Sequence, residues 1–172
     1  MATTMKLIAK TVLGSTSNTI DFQSIPAFYD DLLLVMSARA DYNDGLHYAV
    51  ITFKYNNSGG SAYSNRRLVG TNSADSYSNT GEASHSTAVA GSSATSDTFS
   101  SIEIYVPNYA GSTNKSSSLT GVIATNSAAN MLIGAVALLW ADTSAINRIT
   151  FTASTGNFVA GTSAYLYGIT KS

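Results

Sequence analysis

The chain has 172 residues, enough to enclose one real core and too few for two ordinary domains. Charged residues make up 11% of it, less than half the usual share, while Ser and Thr fill 46 positions, so a hydroxyl-rich and poorly charged surface is expected. Nine basic against ten acidic residues give a net charge of -1, which offers no electrostatic reason to expect nucleic acid or an anionic membrane as partner; without cysteine there is no disulfide, thiolate nucleophile or thiolate metal site.

Along the chain, Met1 to Gly14 lacks the basic start and apolar run of a secretory signal. A soluble protein is expected, made without a signal peptide and leaving a cell by a route that needs none, such as lysis. Met5 to Leu13 and Thr19 to Ile25 read as a first pair of strands, divided by a Gly/Ser/Thr/Asn cluster and closed by Pro26. Asp31 to Arg39 holds the run Leu32 to Met36, apolar on both faces, which predicts a central strand covered from both sides. His47 to Tyr55 alternates, with Ala49, Ile51 and Phe53 on the face expected in the core.

From Asn56 to Ser101 the composition turns to Ser, Asn, Gly, Ala and Thr. Long polar surface loops are expected over 56–101, with one or two strands around Glu82 to Ala90; these loops either stay solvated or become ordered against a neighbouring subunit. Alternation returns at Ser101 to Val106, stopped by Pro107, and strands follow at Leu119 to Thr125, Met131 to Trp140, Ile146 to Thr152 and Ala164 to Thr170. The stretch from Ala128 to Trp140 also suits a buried helix, but its β-branched and aromatic residues favour strand. With Asn130 inside it, the apolar run to Ala141 is too short to span a bilayer. The sum is one all-β domain over 1–172, an antiparallel two-sheet sandwich of jelly-roll type with about nine or ten strands.

Chemistry-bearing motifs are few. His47 and His85 are 38 positions apart in unrelated segments and read as hydrogen-bonded structural histidines, with no H-E-x-x-H or comparable zinc spacing. No serine sits in a G-x-S-x-G elbow, and no phosphate-cradling glycine loop occurs. Carboxylates are scarce, and the adjacent Asp30 and Asp31 point to opposite sides of an extended chain, a poor arrangement for glycoside hydrolysis. The Asp41 to Gly45 segment carries oxygen ligands but lacks the remainder of a calcium loop and reads as a turn. No catalytic, metal or cofactor residue is assigned, and no enzyme activity is expected. Ten tyrosines stand against one tryptophan, and those in polar segments, Tyr42, Tyr63, Tyr77 and Tyr109, suit protein interfaces and sugar stacking alike. Arg66 and Arg67 form the only adjacent basic pair, suited to a partner's carboxylates, to an internal ion pair or to a solvated loop.

Three segments carry a resemblance: Ile20 to Pro26 followed by Tyr29 to Leu34, then Ile104 to Ala110, then Gly156 to Gly161 through Leu166 to Ile169. Together the chain resembles small virion proteins of tailed bacteriophages, cyanophages among them. The resemblance implies a β-sandwich, often trimeric, found as a capsid decoration protein or as a terminal module of a tail fibre or baseplate. The expectation is therefore a decoration or cement protein that binds the major capsid protein on the outer head surface, as a homotrimer. The alternative is a receptor-binding module that holds host surface glycan.

Overall fold

The computed structural model describes residues 4–42, 45, 47–126 and 131–171, and each regular element among them is a β-strand. In chain order these are β1 (Thr4–Val12), β2 (Thr19–Phe22), β3 (Asp31–Ala38), β4 (Tyr48–Tyr55), β5 (Tyr63–Gly70), β6 (Ala74–Glu82), β7 (His85–Ala90), β8 (Ser100–Pro107), β9 (Lys115–Ile123), β10 (Leu132–Trp140), β11 (Ile149–Ala153) and β12 (Ser163–Thr170). They form two antiparallel sheets, one of eight strands in the order β1-β12-β3-β8-β9-β10-β5-β6 and one of four in the order β2-β11-β4-β7.

The pairing is nested: β1 with β12, β2 with β11, β3 with β8 and β4 with β7, with β12–β3 and β11–β4 pairs closing each half. A long antiparallel ribbon rolled so that successive strands alternate between two sheets has this nesting, which is jelly-roll connectivity. Two hairpins are added to it. The β5–β6 hairpin leaves between β4 and β7, the β9–β10 hairpin between β8 and β11, and both join the same sheet beyond β8. The larger sheet therefore extends past the smaller one by a four-stranded wing.

Alternation decides which side chains enter the core. Leu32, Leu34 and Met36 of β3 and Ile102, Ile104 and Val106 of β8 meet Ile51 and Phe53 of β4 and Phe151 of β11, all buried. At the base of the wing the core becomes aromatic: Tyr63 and Trp140, a cross-strand pair, stack with ring centres 6.4 Å apart, and Tyr55 meets the Trp140 ring edge-on at 5.7 Å.

Several expectations need correction. The described residues form twelve strands, more than the expected nine or ten or so. The segment 56–101 is not mainly loop: it supplies β5, β6 and β7, because cross-strand pairing with β10 and β4 overrides a polar composition that propensity reads as coil. β6 has all nine residues exposed and belongs to the sheet through its pairing with β5. The strand expected at Met131 to Trp140 is present as β10; positions 128–130 of the wider stretch to Trp140, read as strand or helix, lie outside the described residues. Pro107 is the last residue of β8 and not a residue beyond it.

Candidate functional site: an uncovered sheet face and a cleft behind the wing

β3 lies between β12 and β8, as expected of a central strand, but among the described residues it is covered on one face only. Leu32, Leu34 and Met36 point into the sandwich; Leu33 is half-buried and Val35 exposed on the other side. The register extends this outward face across the sheet. One row runs Leu68, Ala135, Thr120, Glu103, Val35; the next runs Arg66, Ala137, Ser118, Tyr105, Leu33. Ile133 and Leu68 are 58% and 62% exposed, well beyond what an isolated sandwich needs. Over β3, β8, β9, β10 and β5 the free outward charges are Glu103 and Arg66. Asp31, the other carboxylate on these strands' outward side, is buried.

Asp31 is held at the sheet end by the Tyr105 hydroxyl, the Asn108 N–H at 3.0 Å and the Lys171 ammonium at 2.6 Å. Burial alone would raise its pKa; the hydrogen bonds from Lys171, Tyr105 and Asn108 together with the Lys171 charge outweigh it and hold the carboxyl below the usual range. Two shallow concavities, about 490 and 430 Å³, indent the wing part of the face on either side of Leu68 and Ala135.

Behind the wing, where it passes the edge of the smaller sheet, lies a more enclosed cleft of about 220 Å³. Val69, Leu119 and Val136 give it apolar walls, and Tyr48 and Tyr77 stand at its rim. Arg67 is its one cation. Its guanidinium donates through Nε to Asn65 Oδ1 at 2.9 Å and through Nη2 to Ser86 Oγ at 2.5 Å, and lies 5.6 Å from the centre of the Tyr77 ring. Next to it His85 is fully buried against Phe53, Tyr55 and Tyr63, with neither ring nitrogen hydrogen-bonded. Burial, with the Arg67 charge adding to it, pushes its pKa down to about 3, so His85 is neutral at ordinary pH and is no proton carrier.

The six residues singled out for a partner are thus scattered. Arg67 and Tyr77, opposite each other on β5 and β6, are brought together at the cleft. Arg66 points to the outward face, because neighbours in a strand alternate. Tyr42 is half-buried against the core, and its carbonyl accepts the Ser92 N–H at 3.0 Å. Tyr63 and Tyr109 are corrections: both are buried, Tyr63 hydrogen-bonded to Tyr55 backbone and Tyr109 donating to the Pro26 carbonyl, so neither presents a surface. His85 corrects the expectation of a hydrogen-bonded histidine, while His47 meets it through Nδ1 and the Ser93 carbonyl at 2.6 Å. In the Asp41 to Gly45 segment Asp41 binds the Asn157 N–H at 2.7 Å; positions 43 and 44 lie outside the described residues.

Sequence reasoning passed over Gly121 and Gly134, which are directly paired across β9 and β10 at the cleft. An isolated glycine inside a strand pattern is the signal that could have found them. Among the described residues no group of three or more His, Asp or Glu is placed to hold a metal ion.

Fold and surface together define the class: a two-sheet antiparallel β-sandwich of jelly-roll connectivity with one extended, weakly charged sheet face left uncovered. No protein-family model matches the chain, and no significant match exists among curated proteins.

Proposed function

We propose that the chain is a structural protein of a phage particle, a decoration protein that lies on the outer surface of the head and reinforces it, gripping the capsid through the outward face of the eight-stranded sheet. The observation that carries this reading is the outward face of β3 and its neighbours: a strand written for cover on both sides has cover on one. Removing Val35, Leu68, Ile133 and Leu139 from water is favourable, and with two free charges to desolvate the opposing cost is small. Five strands of about eight residues span roughly 600 Å², close to the roughly 800 Å² each partner contributes to a standard interface. The capsid surface that fits is itself apolar and weakly charged. A closed trimer would triple the footprint without new kinds of contact. Binding the assembled lattice and not its free subunits stabilises it by mass action, with no chemical turnover.

The experiment compares particles assembled with and without the chain for resistance to heat and osmotic shock. Reinforcement predicts that particles lacking it burst at lower temperature and recover when purified protein is added back. Equal resistance overturns the reading. A tail-borne receptor-binding module is the second reading, favoured by the Arg67–Tyr77 pair at the mouth of a cleft; it predicts that purified protein binds host cells or host glycan and leaves particle strength unchanged.

A further inference from the structure

We infer that the cleft behind the wing is a binding site for a carboxylate carried on an apolar body about the size of one aromatic ring, with Arg67 as the anion-binding residue and the Gly121–Gly134 pair as the hollow that admits the body. This holds whichever particle position the chain occupies.

The glycines are the first observation. They face each other inside β9 and β10, each two residues short of a strand end, where a glycine still weakens a strand, and neither has a positive φ. Nor does packing demand them. A Cβ at Gly134 would come no closer than 3.9 Å to any neighbour, and one at Gly121 would meet the Thr87 hydroxyl at 3.5 Å, both ordinary contacts. The fold would accept alanine at either place, and what the two glycines preserve is open space between Leu119, Val69 and Val136. A volume of about 220 Å³ takes about ten heavy atoms at the density of an organic solid.

The second observation is Arg67. Among the described residues the ion pairs are Arg148–Asp21 and Lys171–Asp31; Arg67 has no carboxylate partner. Asp75, on the same face of β6, accepts from Ser73 instead. His85, the ionisable group packed behind Arg67, has no negative form to offer. Two of the three guanidinium nitrogens are anchored by Asn65 and Ser86 and the plane is steadied by Tyr77, which leaves Nη1 as a fixed donor with no acceptor among the described residues. A preset guanidinium beside an apolar hollow complements a carboxylate next to an apolar group. That chemistry occurs in a free aromatic or aliphatic acid and at the C-terminal residue of a peptide.

The test is an NMR titration of the ¹⁵N-labelled full chain with phenylacetate, with phenylacetamide as its uncharged twin, and with N-acetyl-phenylalanine against its amide as mimics of a chain end. Saturable shifts are expected at the amides of 67–71, 119–121 and 132–136, at least about tenfold weaker in affinity for each amide than for its acid. Arg67→Gln is expected to erase that preference. Gly134→Val is expected to abolish binding while its melting temperature holds at or above that of the wild type; Gly134→Ala serves should valine disturb the strand. Tighter binding of N-acetyl-phenylalanine than of phenylacetate points to a chain end, the reverse order to a free acid. Absence of saturable shifts in the cleft, equal binding of acid and amide, or undiminished binding by folded Gly134→Val or Gly134→Ala together with Arg67→Gln overturns the assignment.

Discussion

His85 shows what a single side chain in an aromatic core does to pH dependence. The folded chain holds it neutral, with a pKa near 3, whereas the unfolded chain protonates it near 6.5. As pH falls from about 6.5 towards 3 the unfolded state takes up a proton that the folded state refuses. The stabilisation is complete above 6.5 and is lost on acidification through that window, by up to about 1.4 kcal/mol per pH unit. The carboxyls of Asp21, held low first by the Arg148 hydrogen bond, and of Asp31 act in the same direction only below 3.8. Urea unfolding of wild type and His85→Phe at pH 7, 5.5 and 4.5 checks this: the wild type should weaken steadily and the variant should not. Because phenylalanine keeps the ring contacts and removes two unsatisfied nitrogens, its stability at pH 7 should be within about 1 kcal/mol of wild type or above it. An equal slope in both proteins would show that His85 is not the group responsible. None of this was readable from composition, since a histidine in a Ser/Ala segment gives no hint that Phe53, Tyr55 and Tyr63 will close over it. The tyrosines taught the same lesson, with Tyr63 and Tyr109 in polar stretches and yet in the core.

Strands with strong alternation, such as β4, β8 and β12, were legible because period two and burial agree along them. β5 and β6 were not, since Ser, Asn and Arg carry little strand signal and the partner strand β10 lies some seventy residues away in sequence. Their weak local preference has a consequence for dynamics. β6 has no buried residue and one neighbour, so its amides should exchange with deuterium well ahead of those in β10, which is paired on both sides. Uniform protection across the wing would contradict that. The opposite case is the end of β3, where Asp31 ties β3 to β8 and to the residue following β12. Asp31→Ala strands the Asn108 N–H and the Tyr105 hydroxyl and should cost about 1–3 kcal/mol by thermal unfolding. A loss below a few tenths would mean that water replaces the carboxylate freely.

At the scale of the whole molecule, sparse charge was legible from the first counts, and a two-layered core from the succession of strands, as was the anomaly in β3, a run apolar on both faces. The structure turns that anomaly into a surface: the second face is not covered by any of the described residues. The cleft was half legible, in Arg67 and Tyr77, and its glycines were missed because pairing across β9 and β10 is not visible along the chain. Leu68→Asp with Ile133→Asp alters outward positions 62% and 58% exposed, so folding should be preserved within about 0.5 kcal/mol per site while attachment is lost.

The most direct measurement is a density map of the intact particle in which this chain can be placed. The account predicts that the outward face of β3, β8, β9, β10 and β5 lies against the capsid, with Leu68 and Ile133 buried beneath the chain and the cleft open to solvent. A map with that face bare, or with the chain attached through the opposite sheet, would contradict it.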